Sequence, residues 1–233
     1  MLVSTFELLV KPIAPAGSGP APVARTVVQG YFLTIANPNN TPVSVKLTFA
    51  ATTPTLDVTD TVAIRDVAGN NLFGDLVPTA DPRKLTYTLR IPAHDTALVT
   101  LLPDLTKPAV LAAKSLEVRG YVEVALNAPV GRFDLLITPE HRGTFLPVDL
   151  SAPMPDFDQL AYALPTATGG SLFTLTRLPI RPPVAAPIGA PGNGNGRPLP
   201  EIEEPETPAF EVPAMMSMVL QRLEALERRM AMV

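Results

Sequence analysis

Thr41-Pro42-Val43-Ser44-Val45-Lys46-Leu47-Thr48-Phe49-Ala50 is the stretch on which the fold turns. Val43, Val45, Leu47 and Phe49 take every second position, and Ser44, Lys46 and Thr48 fill the gaps. Side chains of an extended strand leave alternately to its two faces, so a period of two predicts a strand with one dry and one wet face. The pattern returns in Leu85, Tyr87, Leu89 and Ile91, opposed by Thr86, Thr88 and Arg90. It returns again in Leu116, Val118, Val122 and Val124, opposed by Glu117, Arg119 and Glu123. One-sided strands are the unit of antiparallel sheets, whose second face meets water.

Working outward, turn chemistry separates these strands. Asn37-Pro38-Asn39-Asn40, Ala68-Gly69-Asn70-Asn71 and Asn127-Ala128-Pro129-Val130-Gly131 are rich in residues that close turns. Short strands at this spacing, without long helical patterns between them, predict an antiparallel sandwich or barrel and disfavour a βαβ layout. One brief helix is expected at Asp156–Ala163, between Pro155 and Pro165, with Asp156 and Asp158 as acids of its first turn. Between His141 and Thr176, Pro147, Pro153, Pro155 and Pro165 interrupt any regular pattern.

Two segments resemble bacterial immunoglobulin-like modules. In Tyr31-Phe32-Leu33-Thr34-Ile35-Ala36-Asn37-Pro38-Asn39-Asn40-Thr41-Pro42-Val43-Ser44-Val45 an alternating strand ends in an Asn-Pro turn, and the next opens on a small residue and valine. Leu89-Arg90-Ile91-Pro92-Ala93-His94-Asp95-Thr96-Ala97-Leu98-Val99-Thr100 has the proline, alanine, turn, threonine and alternating strand of the same modules. The resemblance spans about half of the first 130 residues and implies a sandwich serving as spacer, adhesin or assembly part. The chain has no cysteine pair and no tryptophan, so immunoglobulin-like topology and another Greek key such as a jelly roll both stay open.

Composition narrows the classes. Of 233 residues, 46% are hydrophobic and 17% charged, which is ample for a packed core. The 28 prolines imply short strands with rigid turns, plus extended linker. A net charge of −4 and no basic cluster denser than Arg228-Arg229 argue against nucleic acid. With no cysteine, disulfides, thiolate chemistry and cysteine-held zinc are excluded. No apolar stretch is long enough to predict a membrane span. The run Phe6–Val10 is too short, and lacks the preceding basic residue, for a signal peptide. The compartment is therefore left undetermined, cytoplasm or a viral or surface assembly.

Three regions are expected: a mainly β, antiparallel sandwich region at 1–178, a Pro/Gly-rich acidic linker at 179–213, and a short C-terminal amphipathic α-helix at 214–233. The linker carries proline-rich arms about Gly192-Asn193-Gly194-Asn195-Gly196, with Glu201, Glu203, Glu204 and Glu206 alongside. In the helix Met216, Val219, Leu223, Leu226, Met230 and Val233 recur at alternating spacings of three and four, an a/d heptad seam. Arg222 at g and Glu227 at the following e are placed to pair between parallel chains. Arg222-Leu223-Glu224-Ala225-Leu226-Glu227 also resembles the Arg-apolar-x-x-apolar-Glu motif of trimeric coiled coils, which implies a trimer. Heptad rules alone leave two and three strands equally open.

No constellation for chemistry stands out. His94 in Pro92-Ala93-His94-Asp95 and His141 in Pro139-Glu140-His141-Arg142-Gly143 read as exposed turn histidines, without the spacing of metal ligands. Gly169-Gly170-Ser171 lacks the last glycine of a nucleophile elbow. Asp66–Asp75 is oxygen-rich enough to suit calcium, but lacks the EF-hand spacing and reads as a hairpin turn with Gly69 and Asn70 at positive φ. The expectation is a non-enzymatic structural protein with no cofactor or metal, whose partner is itself, as a homotrimer, or another structural protein. The alternative is an adaptor whose tail helix docks onto a non-self partner.

Overall fold

The computed structural model describes residues 1–14, 17–19, 24–67, 69–147 and 153–179. Within them the chain runs β1 (Leu2–Pro12), β2 (Thr26–Asn37), β3 (Val43–Ala51), β4 (Thr61–Val67), β5 (Asn70–Gly74), β6 (Val77–Pro78), β7 (Lys84–Ile91) and β8 (Asp95–Pro103). A six-residue helix α1 (Pro108–Ala113) follows, then β9 (Leu116–Ala128), β10 (Gly131–Phe145), β11 (Asp158–Ala163) and β12 (Leu172–Arg177). The protein is mainly β, and every strand pair is antiparallel. The expected linker and C-terminal helix lie outside the described residues, apart from Pro179.

The strands join in one path, β5-β4-β8-β2-β1-β9-β3-β7-β6, with β10 on the other edge of β2 and β11 and β12 on β10. β2 is the fork of this sheet. Its first half, Thr26–Gln29, pairs with Leu9–Pro12 of β1, and Tyr31–Asn37 pairs with β8. Gly30 stands between the two ladders, where an added Cβ would strike the Leu102 side chain and lie 3.1 Å from the Leu101 carbonyl oxygen. From the fork one arm continues through β1, β9, β3 and β7, and the other through β8 and β4. Only Asp75 and Leu76 separate β5, at one end of the path, from β6 at the other, so the sheet curls until its ends adjoin.

The curl encloses one core. Val43, Val45, Leu47 and Phe49 of β3 and Leu89 and Ile91 of β7 are buried, as the alternation requires. They share a cluster with Tyr31, Leu33 and Ile35 of β2, Ala97, Val99 and Leu101 of β8, and Leu135, Ile137 and Phe173 from β10 and β12. At its centre the rings of Phe6, Tyr31 and Phe49 meet at centroid distances of 5.8 to 6.4 Å. Tilted and edge-on contacts of this kind add to what burial alone contributes. Gly120 of β9 lets the neighbouring strand close down here, since a Cβ would fall on the Ala50 carbonyl oxygen and within 2.6 Å of the Phe6 ring.

Four sequence expectations are corrected. Asp156–Ala163 is not a helix: residues 158–163 form β11, held by the open edge of β10, where six register pairs from Glu140↔Ala163 to Phe145↔Asp158 supply the ladder. A lone turn of helix has no such partner and is marginal by itself. Helix α1 was not expected; Pro108 opens it and Lys114, in the left-handed region at φ 48°, closes it. In the β4–β5 hairpin Gly69 takes positive φ (75°), but Asn70 does not.

The fourth correction concerns Pro139-Glu140-His141-Arg142-Gly143, which lies inside the 15-residue β10 rather than in a turn. Proline is tolerated because of where its nitrogen points. The Ile137 amide donates to the Ser171 carbonyl and the Pro139 carbonyl accepts from Leu164, both on the edge away from β2. The nitrogen of Pro139 faces that edge too, between the end of the β12 ladder at Leu136 and the start of the β11 ladder at Glu140. No ladder hydrogen bond is lost.

Candidate functional site

The residues expected to carry association, Met216, Val219, Arg222, Leu223, Leu226, Glu227, Met230 and Val233, all lie outside the described residues. Of the other sequence candidates, His94 sits exposed in the turn between β7 and β8, in the left-handed region at φ 55°. Asp66 is paired with Asn71 in the β4–β5 ladder. Among the described residues no three His, Asp or Glu side chains gather as metal ligands do. Asp156 and Asp158 serve Arg25, which ion-pairs with both and donates to the carbonyls of Phe145, Leu146 and Asp156. Arg25 thereby fastens the segment ahead of β11 to the start of β2.

His141 is buried, only 4% exposed, against the expectation of an exposed turn histidine. The register explains it. His141 lies opposite Tyr31 of β2 and Tyr162 of β11, and shares its parity with the buried Leu135 and Ile137. It faces the fork, where β1 has parted from β2 and would leave an amide bare. That amide, on Glu7, donates to His141 Nε2 at 3.0 Å. An accepting Nε2 places the imidazole hydrogen on Nδ1, which then donates to Tyr162 Oη at 2.9 Å. Tyr162 Oη in turn donates to Gln29 Oε1 at 3.4 Å, and Gln29 Nε2 donates to Glu7 Oε2 at 3.2 Å. With that proton placement, the 3.5 Å approach of Gln29 Nε2 to His141 Nδ1 is two donors side by side rather than a hydrogen bond.

The chain of donors closes on the residue where it began, and it ties β1, β2, β10 and β11 together. Arg119 of β9 adds a hydrogen bond to Glu7 Oε1 at 2.9 Å. Burial pushes the His141 pKa below its ordinary value, with the Glu7 carboxylate pulling the other way. Burial also raises Tyr162, helped by Glu7. A neutral imidazole whose acceptor nitrogen is engaged by a backbone amide is a structural stitch. The parity of Leu135, Ile137 and His141 is the signal for it in the sequence, and the turn-like run Pro139-Glu140-His141-Arg142-Gly143 obscures it.

Beside α1 lies an open groove of about 500 Å³, lined by Asp57, Asp60, Val110, Ser115, Glu117 and Val118. Two of its carboxylates are occupied: Asp57 accepts the Thr59 amide at 2.7 Å, and Glu117 pairs with Lys11 and Arg119. The Thr59 hydrogen bonds hold the Asp57 pKa below its usual range.

Compared with family models, curated proteins and solved structures, the chain matches none. What can be stated as a class is a mainly β protein with a curled antiparallel sheet. No helix among the described residues is long and apolar enough to cross a membrane.

Proposed function

We propose that this is a non-enzymatic assembly protein, in which the C-terminal helix gathers copies, as a trimer, and presents their β heads on a jointed tether. The observation that carries the reading is the unbroken seam Met216, Val219, Leu223, Leu226, Met230 and Val233 beyond a proline-rich linker. Leu223, Leu226 and Val219 supply the association, and Arg222 with Glu227 sets the alignment. Joining weakly binding heads converts later contacts into intramolecular ones, so avidity exceeds single-site affinity.

The head is read as a two-layer sandwich of immunoglobulin-like or jelly-roll type. In support, β2 serves both arms of the sheet, and residues 70–78 pass from one end of the path to the other. Strands that change sheets in this way form the corners of sandwiches. The non-catalytic reading is supported by where the reactive side chains are spent: His141 stitches β1 to β10, and Asp156 and Asp158 bind Arg25.

Leu223→Asp tests the proposal in the full chain. Light scattering should show the oligomer reduced to a monomer, with the thermal unfolding of the β head unchanged. Wild-type protein already monomeric, capturing a different protein through its tail, would support the adaptor instead.

A further inference from the structure

Strand β11 ends the sheet on one side: among the described residues it pairs only with β10. The Leu164 amide donates to the Pro139 carbonyl, so Leu160 and Tyr162, which share the parity of Leu164, turn their amides and carbonyls toward β10. Gln159, Ala161 and Ala163 turn theirs the other way, to an edge with no ladder, and all three are exposed. Open edges are usually blunted by a charge, a proline or a bulge. From Gln159 to Ala163 there is none of these. Pro155 and Pro165 stand beyond this stretch, and Asp158, at its start, is held by Arg25. On the face that carries His141, Tyr162 is 47% exposed and Leu160 half-buried.

We infer that β11 pairs antiparallel with β11 of a second copy, about a two-fold axis at Ala161. What completes a strand edge is another strand, and a foreign strand is chosen through pockets for its alternate side chains. Gln159 and two alanines build no such pocket, whereas the edge's own sequence answers it. Gln159 lies opposite the partner's Ala163, and Ala161 opposite the partner's Ala161, which joins outward amides and carbonyls in about six ladder hydrogen bonds. Leu160 then lies opposite the partner's Tyr162, and Tyr162 opposite the partner's Leu160, so each exposed ring gains an aliphatic neighbour. The two Asp158 carboxylates stand roughly 20 Å apart at about 3.3 Å per residue, so no like charges meet. The position of the axis is selective. At Gln159 it would set Asp158 against Leu160, and at Ala163 it would set Ala161 against Pro165, which has no amide. The ladder is short, so the contact is weak and closes at two copies. Heads gathered by their tails would multiply it; that multiplication rests on the tail reading above, and the pairing does not.

The test is sedimentation, over a wide concentration range, of the full chain carrying Leu223→Asp, which removes the tail's contribution and leaves β11 untouched. Its mass should rise with concentration from one copy toward two. Adding Ala161→Glu should abolish the rise: within a head the new carboxylate lies across from Arg142, but in the pair it lies across from its own counterpart. Ala161→Lys should abolish it too. Both substitutions fall on an exposed position whose amide and carbonyl face away from β10. Mixed in equal amounts, the two variants should recover the rise, because carboxylate and ammonium then meet at the axis. The tail is read separately, as the fall in dilute mass from wild type to Leu223→Asp. A Leu223→Asp chain of constant mass, a rise that both Ala161 variants keep, or a mixture no heavier than its components would overturn the inference.

Discussion

On β3, β7 and β9 the positions that look away from the core hold Lys46, Lys84, Arg90, Glu117, Arg119 and Glu123 among threonines, alanines, a serine and the exposed Tyr121. On β4, β8, β2 and β12 the equivalent positions hold Ile64, Leu98, Thr34, Ala36, Leu172 and Thr174, with Asp66 as the one charge. The inner faces of both arms are alike, an aliphatic and aromatic layer merged into one core. The core therefore does not explain why the outer faces differ. The first is laced by ion pairs, Lys84 with Glu123 at 3.6 Å and Arg119 with Glu7 at 2.9 Å, which suit permanent contact with water. The second holds mainly threonines and aliphatic side chains, which make no such pairs.

The comparison can be broken first at the shared layer. Phe49→Ala removes a ring that touches both Phe6 and Tyr31, and should cost about 3 to 5 kcal/mol in chemical unfolding, whichever arm is probed. Unfolding of one arm ahead of the other would mean that the core is not common to both.

A smaller effect is expected at the fork. His141→Ala leaves the Glu7 amide bare and should cost about 1 to 3 kcal/mol. The wild type should also lose stability in acid at this site. Folded His141 has a pKa below its ordinary 6.5, so the unfolded chain takes up the proton first. The contribution is complete above about pH 6.5 and declines as pH falls through that value toward the folded pKa. Around the ring, Glu7 favours the protonated form, Arg119 opposes it, and Tyr162 and Gln29 are neutral. Unfolding midpoints measured between about pH 8 and pH 5 should slope in the wild type and flatten in His141→Gln. Asp81, which its hydrogen bond to Arg83 pulls down to about 2, acts only in a separate and more acidic window.

The smallest effect belongs to the charged outer face. Lys84→Ala should change stability by no more than about 0.5 kcal/mol, since the pair is solvated and screened. A larger loss, or one insensitive to salt, would mean that this face is covered rather than solvated.

How much of this was legible in the sequence depends on the range of the interaction. Strands β3, β7 and β9 announced themselves through Val43, Leu85 and Val122 and their neighbours, because period two is a local signal. Strand β11 and the burial of His141 could not be seen that way. Both depend on β10 lending its edge to a segment 13 or more residues away, and on Pro139 falling where no amide is needed. The Glu7–His141 stitch spans 134 positions in the chain. The alignment of Phe73, Ile64, Thr100 and Phe32 was hidden likewise, since they become a row only once the register of four strands is known.

The central claim is that assembly resides in the tail, and comparing the solution mass of the full chain with that of a chain ending at Leu178 tests it most directly. In dilute solution a trimeric full chain and a monomeric truncation are predicted. Two monomers, or a truncation as large in copy number as the full chain, would contradict it.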